Sequence, residues 1–467
     1  MGHIYSHAAC TIAATASKDS SGGLFFERCP QLHIPKRVHF NFSPNSPWLE
    51  GKSIGSTLAG TYLCDIRDFV DICIEYAPLN SRAWVSQERQ LSRRILHFTR
   101  TQLFWECYEC KACETYPERL PKWARPVWRG DGDVTLLKDR LHEITRQHRD
   151  DSTFSSPPTS AQGLDDDSFY QLWRAYRSQY SKCALTHSTD KLVAIRGIAS
   201  LVGEVTGDEF VAGLWRSRII EEMCWTGPNY SEQKSTEWIA PTWSWASSNS
   251  QSFSSMFSSY HGGHHGRRTE AELVELDVET KASGELEYAS IKIKCKPLYA
   301  LYTPASDALF ASRDDGYLGS LELIGGEGVI LECGMFYTGQ TGASVTFDHD
   351  LYGFIKEQQY GYVVVMQHCI NEGSSRPSVD IEGSNTKEGE RSFNSIEKEE
   401  GTDNEKEAAK RFAETPHSEI EALFLQRRDG VGERFERIGL FEFRGLREVN
   451  QVLKAHHVAE DEVITLV

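Results

Sequence analysis

Three cysteines, Cys107, Cys110 and Cys113, stand in a C-x-x-C-x-x-C run at the end of RAWVSQERQLSRRILHFTRTQLFWECYECKAC, residues 82–113. Thiolates at such close spacing can hold Zn²⁺ when a fourth ligand completes a tetrahedron. No fourth ligand lies nearby in the sequence, and no second C-x-x-C pair follows at zinc-ribbon spacing. Ordinary thiols are therefore the expectation, and a zinc-binding interaction module is the alternative. His261, His264 and His265 lie in a Gly- and Ser-rich stretch, where ordering the chain would cost more than a weak metal bond returns. Glu88, between Gln87 and Arg89 and near Trp84, is the most suggestive carboxylate. A glutamate beside an aromatic ring can be tuned as a proton donor or acceptor. The competing reading is an ion pair with Arg82, Arg89 or Arg94. There is no G-x-S-x-G, no H-E-x-x-H and no phosphate-loop motif; the Gly51–Ser53 and 325–328 fragments are too short to serve as one.

These residues need elements to hold them. RAWVSQERQL is rich in helix formers, and SRRILHFTRTQLFWEC reads as a hairpin: Ile95, His97 and Thr99 face one way, Leu96 and Phe98 the other. A turn is expected at Gly22-Gly23. Phe169, Leu172, Trp173, Tyr176 and Tyr180 recur at helical spacing behind the acidic Asp165–Asp167, which suits a helix N-terminus. A second helix carries Leu192, Ile195, Ile198, Ala199 and Val202, with Thr189 or Asp190 as its N-cap. DEFVAGLWRSRIIEEMCW reads as a third. PTWSWAS, residues 241–247, reads as an extended segment with Trp243 and Trp245 on one side, filling an interface rather than stacking on a ligand. Beyond it, ASIKIKCKPLYAL, GVILEC, YVVVMQ, EALFLQR and FERIGLFEF are β-rich. Residues 150–167 read as a linker, and about 371–416, with almost no large apolar side chain, as a disordered acidic insert. The expected class is α+β, divided at 1–130, 131–235 and 236–467.

Composition sets the outer limits. Of 467 residues, 39% are hydrophobic, with eleven Trp, eighteen Tyr and twenty-two Phe, which is enough to build cores. A formal charge of −17 disfavours nucleic acid, whose phosphates need a basic surface. No apolar run is long enough to span a bilayer, and the twelve scattered cysteines do not form the dense set of a secreted disulfide scaffold. A cytoplasmic protein follows, with no membrane span and no cofactor.

Several blocks together resemble the fungal HET (heterokaryon incompatibility) domain family. They are IYSHAACTIAA, GLFFERCP, APLNSRAWVSQERQLSRRILHFTRTQLFWEC, LTHSTDKLVAIRGIA, FVAGLWR, APTWSWAS and RFERIGLF, spread over most of the chain. In the third block, Arg82, Trp84, Gln87, Glu88, Leu91, Ser92 and Arg94 fall on the family's "RGW-x-x-QE-x-x-LS-x-R" pattern, followed by Trp105 and Cys107. Cys110 and Cys113 fall outside it. The family's opening "SY-x-W" and "W-x-D-x-x-C-I-x-Q" blocks have no counterpart, so the expectation is the C-terminal half of a HET domain, a partial α/β unit. A helical segment and a β-rich unit follow it. The resemblance implies fungal nonself recognition and regulated cell death, acting through an unidentified protein partner. HET domains in turn resemble TIR-type domains, some of which cleave nicotinamide nucleotides; that analogy gives an alternative activity with Glu88 as its candidate carboxylate.

Overall fold

The computed structural model describes residues 2–29, 34–40, 60–64, 69–121, 124, 137–142, 166–227, 237–248, 253–254, 267–304, 317–324, 329–334, 343–347, 358–371, 417–428 and 433–467. The histidines at 261–265, the Gly51–Ser53 and 325–328 fragments, the linker up to residue 165 and the insert at 372–416 lie outside these residues. Both helices and strands are present, as the α+β class requires. Two compact units result: the first holds residues 1–219, 232–260 and 277–289, the second 220–231, 261–276 and 290–467.

In the first unit a short helix α1 (Gly2–His7) leads to strand β1 (Thr11–Ala13), and an antiparallel pair of β2 (Lys36–Phe40) and β3 (Gly60–Cys64) follows. Then come helix α2 (Ala83–Leu91) and strands β4 (Arg94–Phe98), β5 (Leu103–Cys107) and β6 (Lys111–Cys113). The sheet order is β1-β4-β5-β6, with β1 parallel to β4 and the other pairs antiparallel. The expected alternation holds: Ile95, His97 and Thr99 are buried, while Leu96 and Phe98 are only partly so. Phe104 packs with Phe69, Val70, Ile74 and Cys113 in one core cluster.

Helix α3 (Asp166–Ser181) buries the expected aromatic stripe, with Trp173, Tyr176 and Tyr180 almost fully enclosed. Helix α4 (Lys191–Thr206) buries its whole expected apolar face and ends at Gly207, whose φ of 73° supplies the left-handed cap that a side chain would oppose. Both helices pack on α2. The expected boundary near residue 130 falls inside the first unit, where α2 and α4 pack on each other.

The stretch DEFVAGLWRSRIIEEMCW departs from its helical reading. It forms two short strands, β7 (Phe210–Val211) and β8 (Leu214–Trp215), and a four-residue helix α5 (Ile219–Glu222). The reversal sits at Ala212 and Gly213, with φ of 49° and 99°. The Ser244 hydroxyl donates to the Ala212 carbonyl and Trp245 Nε1 to that of Gly213, both at 2.6 Å. A tertiary clamp thus holds a turn that local propensity would make helical. PTWSWAS is correspondingly not extended: Ser244 N–H bonds back to the Pro241 carbonyl, and Trp245–Ser247 is a 3₁₀ turn. Trp243 and Trp245 are fully buried, so the packing role expected of them stands.

Two further short strands are β9 (Trp225–Thr226) and β10 (Phe253–Ser254). The remaining strands are β11 (Arg267–Thr269), β12 (Glu272–Thr280), β13 (Leu286–Cys295), β14 (Pro297–Pro304), β15 (Tyr317–Leu323), β16 (Val329–Gly334), β17 (Ala343–Phe347), β18 (Gln359–Asn371), β19 (His417–Arg427), β20 (Arg434–Phe443) and β21 (Glu462–Leu466). In the second unit the pairings run β14-β15-β16-β17-β20-β19-β18 and return to β14, closing a barrel. All pairs in the ring are antiparallel except β16 and β17. Alternate residues from every strand of the ring point inward, among them Tyr302, Leu321, Leu331, Val345, Val363, Phe424 and Phe441. Val449 and Val452 of helix α6 (Leu446–Val458) join the same core. Closure leaves the seven strands of the ring without a free edge within it.

Candidate functional site

A dense group of buried titratable side chains lies in the first unit, around Arg89 of α2. Arg89 donates in bidentate fashion to Glu75, Nη1 to Oε2 at 2.9 Å and Nη2 to Oε1 at 2.8 Å. Its Nε and Nη2 also reach Glu106 Oε2 at 3.0 and 2.8 Å. Lys138 Nζ donates to the other Glu106 oxygen at 2.8 Å, and Gln179 supports Glu75 at 3.3 Å. His97 places Nε2 at 3.5 Å from Glu106, while its Nδ1 shares a 2.9 Å hydrogen bond with Thr15. Glu75 comes from a single π-helical turn (Asp71–Glu75), and Glu106 from an inward position of β5. Glu75, His97, Glu106 and Lys138 are all under a tenth exposed.

Burial raises the two carboxyls, but the cations win. Arg89 holds Glu75 below the usual carboxylate range, and Arg89 with Lys138 holds Glu106 well below it. Arg89 itself is pushed upward, its two carboxylates outweighing its burial. Burial lowers Lys138 against the pull of Glu106, and lowers His97 against that same carboxylate, so the imidazole is neutral at pH 7. Two anions thus face two cations. A closed, balanced cluster of this kind orients elements; it leaves no carboxylate unengaged for proton transfer.

The residues on the HET-like pattern have a common use. Trp84 Nε1 donates to Asp190 at 3.2 Å, and the Gln87 side-chain oxygen accepts from the Gly197 N–H at 2.7 Å. The Ser92 hydroxyl donates to the Glu88 carbonyl at 2.7 Å and shares a 2.8 Å bond with Thr11. Arg82 bridges Ala184, Arg94 reaches the Ala9 carbonyl at 3.5 Å, Leu91 is buried, and Trp105 stands opposite Leu96 and Ala112. Glu88 is half-buried and accepts from the Tyr5 hydroxyl; burial raises its carboxyl, while Tyr5 and Arg82 pull it back. Tyr5 rises to about 12 through burial and Glu88. Of the three arginines expected beside Glu88, Arg82 acts on it, while Arg89 is engaged by Glu75 and Glu106.

Gly197 shows how tight this joint is. A β-carbon there would lie 2.4 Å from Gln87 Oε1 and 2.8 Å from its Cδ, and Gln87 is only 3% exposed. Alanine would gain about 1 kcal/mol of helix propensity yet force out the Gln87 amide. Gly197→Ala is expected to destabilise the unit by about 1–3 kcal/mol, measured by urea unfolding. In a Gln87→Ala background the same substitution should cost far less.

The three cysteines do not converge. Cys113 pairs with Phe104, three residues from Cys107 along β5. Three residues of strand span about 10 Å and place the side chains on opposite faces, far beyond what one Zn²⁺ with sulfur ligands at about 2.3 Å can join. Cys110 Sγ is turned to the Glu118 carbonyl at 3.1 Å, and Cys113 is buried beside Phe104. No group of three or more His, Cys, Asp or Glu among the described residues is placed to hold a metal. Cys110→Ser should therefore leave zinc content and melting temperature unchanged; metal lost on that substitution would restore the zinc reading.

Next to the Arg89 cluster a cavity of about 490 Å³ opens, with Leu91, Arg94 and Cys107 among its lining residues and Lys138 shared with the cluster. Reading the sequence found those three but missed Glu75, Arg89, His97, Glu106 and Lys138 as a group. One signal was present: Glu106 interrupts the apolar face of an alternating strand, and a charge at an inward position demands a buried partner.

No family model, curated protein or solved structure matches this chain. No described helix is long and apolar enough to cross a membrane.

Proposed function

We propose that the chain is a HET-family protein of fungal nonself recognition that promotes regulated cell death through protein contacts. One observation carries this reading: several blocks of the resemblance that fall in the first unit meet through residues of the blocks themselves. Thr11 meets Ser92, Trp84 meets Asp190, Gln87 meets Gly197, and Ser244 and Trp245 meet Ala212 and Gly213. Side chains that hold distant blocks together explain why such blocks would occur together. The charge-balanced Arg89 cluster favours contact over chemistry.

Inducible expression of the full chain in a fungal host is expected to lower viability, scored by dye exclusion. Arg89→Met, which removes the cation between two buried carboxylates, should abolish the effect. Full viability with the unaltered chain would contradict the proposal. The nicotinamide-nucleotide alternative is kept by one feature, the half-buried Glu88 with its raised carboxyl. Release of nicotinamide that disappears in Glu88→Gln would favour it.

A further inference from the structure

The cavity beside the Arg89 cluster has a volume of about 490 Å³, within the range of small-molecule sites. Arg93 and Arg94 line it, both exposed and neither in an ion pair among the described residues. Their guanidinium forks match the oxygens of a phosphate, while Lys138, also in the lining, is already paired with Glu106. The lining also has a flat, rigid component. Tyr108 and His142 stack with ring centres 3.7 Å apart and planes within 10°, and Lys138 sits 5.7 Å from the Tyr108 ring. Glu109 and Glu204 complete the lining with acceptor oxygens.

This bipolar lining narrows the ligand. Two carboxylates beside the arginines make a small polyanion a poor match, since it would bring no donor to them. A ligand with one phosphate, a planar ring, and hydroxyl or amino donors answers every part of the wall. We infer that the cavity binds an organic phosphate of the nucleoside monophosphate class, with Arg93 and Arg94 on the phosphate. This binding role goes beyond the contact function proposed above and stands on the lining residues alone, independent of the family resemblance.

Calorimetric titration of the full chain with adenosine monophosphate, adenosine and inorganic phosphate tests it. Saturable binding of the monophosphate is expected, with adenosine and inorganic phosphate each weaker by about tenfold or more. The Arg93→Ala/Arg94→Ala double variant should lose about tenfold or more in affinity for the monophosphate, with its circular dichroism unchanged because both side chains are exposed. Absence of saturable monophosphate binding would overturn the inference. Equal binding of adenosine would remove the phosphate contact, and equal binding of inorganic phosphate would remove the organic part. Unchanged affinity in a folded double variant would move the ligand elsewhere. If the double variant fails to fold, the three-ligand comparison on the unaltered chain decides the matter.

Discussion

Arg89→Met is expected to cost the first unit about 3–5 kcal/mol, the penalty for removing one member of a buried ion group. The substitution takes away four charge-assisted hydrogen bonds and leaves Glu75, among the described residues, with the Gln179 amide. Lysine should rescue little, because a single ammonium cannot bridge two carboxylates as the guanidinium fork does. The pH dependence follows from the directions of the shifts. In the unaltered chain Glu75 and Glu106 titrate below their unfolded range, so their stabilisation is present above about pH 4.3 and is lost as pH falls through the folded values. Without Arg89, burial would raise the Glu75 carboxyl instead, and protonation would relieve it. Urea midpoints followed by tryptophan fluorescence should therefore show a larger deficit at pH 7 than at pH 5. A deficit below about 1 kcal/mol at both would place Arg89 among ordinary surface pairs.

Lys191→Met is expected to act in the opposite direction. Lys191 is the first residue of α4, only 4% exposed, and burial lowers its ammonium to about 7. Its Nζ donates to the Ser248 carbonyl and lies 5.2 Å from the Trp245 ring centre. The neighbouring Asp190 carboxylate accepts from Trp84 instead. A cation at a helix N-terminus also meets the wrong end of the dipole. Because the folded value lies below the unfolded one of about 10.4, the unfolded chain holds a proton that the folded chain lacks between pH 7 and about 10.4. Stability should rise with pH across that window, by an amount on the order of 4 kcal/mol, and be flat with respect to this group below it. Methionine removes the cost but also the Ser248 bond, leaving a net gain of about 1–3 kcal/mol at pH 7. The variant's advantage should fall by about the same 4 kcal/mol as pH rises and change sign before about pH 10, where the neutral amine keeps its Ser248 bond, which isolates Lys191 from the other groups titrating there. A variant less stable at pH 7 would mean that the buried ammonium is paired more favourably than its surroundings indicate.

Local patterns carried some of this architecture well. The β4–β5 hairpin and the apolar faces of α3 and α4 follow from side-chain periodicity, because each buries one face and periodicity records burial. The barrel did not follow. Its closure depends on β18 meeting β14 and β17 meeting β20, pairings that join residues far apart in the chain and leave no local mark. The β7–β8 turn escaped for a related reason: Ser244 and Trp245 fix it from about thirty residues away, against the helical preference of its own residues. At the site, Glu106 could be picked out by its inward position on β5, but Glu75 could not, since a π-helical turn has no reliable sequence signature. Cys107, Cys110 and Cys113 left zinc open as an alternative only because sequence spacing ignores the pleat that turns Cys107 and Cys113 to opposite faces.

The most direct measurement is parallel expression of the unaltered chain and Glu88→Gln in a fungal host, with viability and cellular nicotinamide adenine dinucleotide followed together. Action through contacts predicts equal loss of viability in both, with the dinucleotide level unchanged before death. Death that fails to occur with the unaltered chain, or that depends on the Glu88 carboxylate and follows a fall in the dinucleotide, would contradict it.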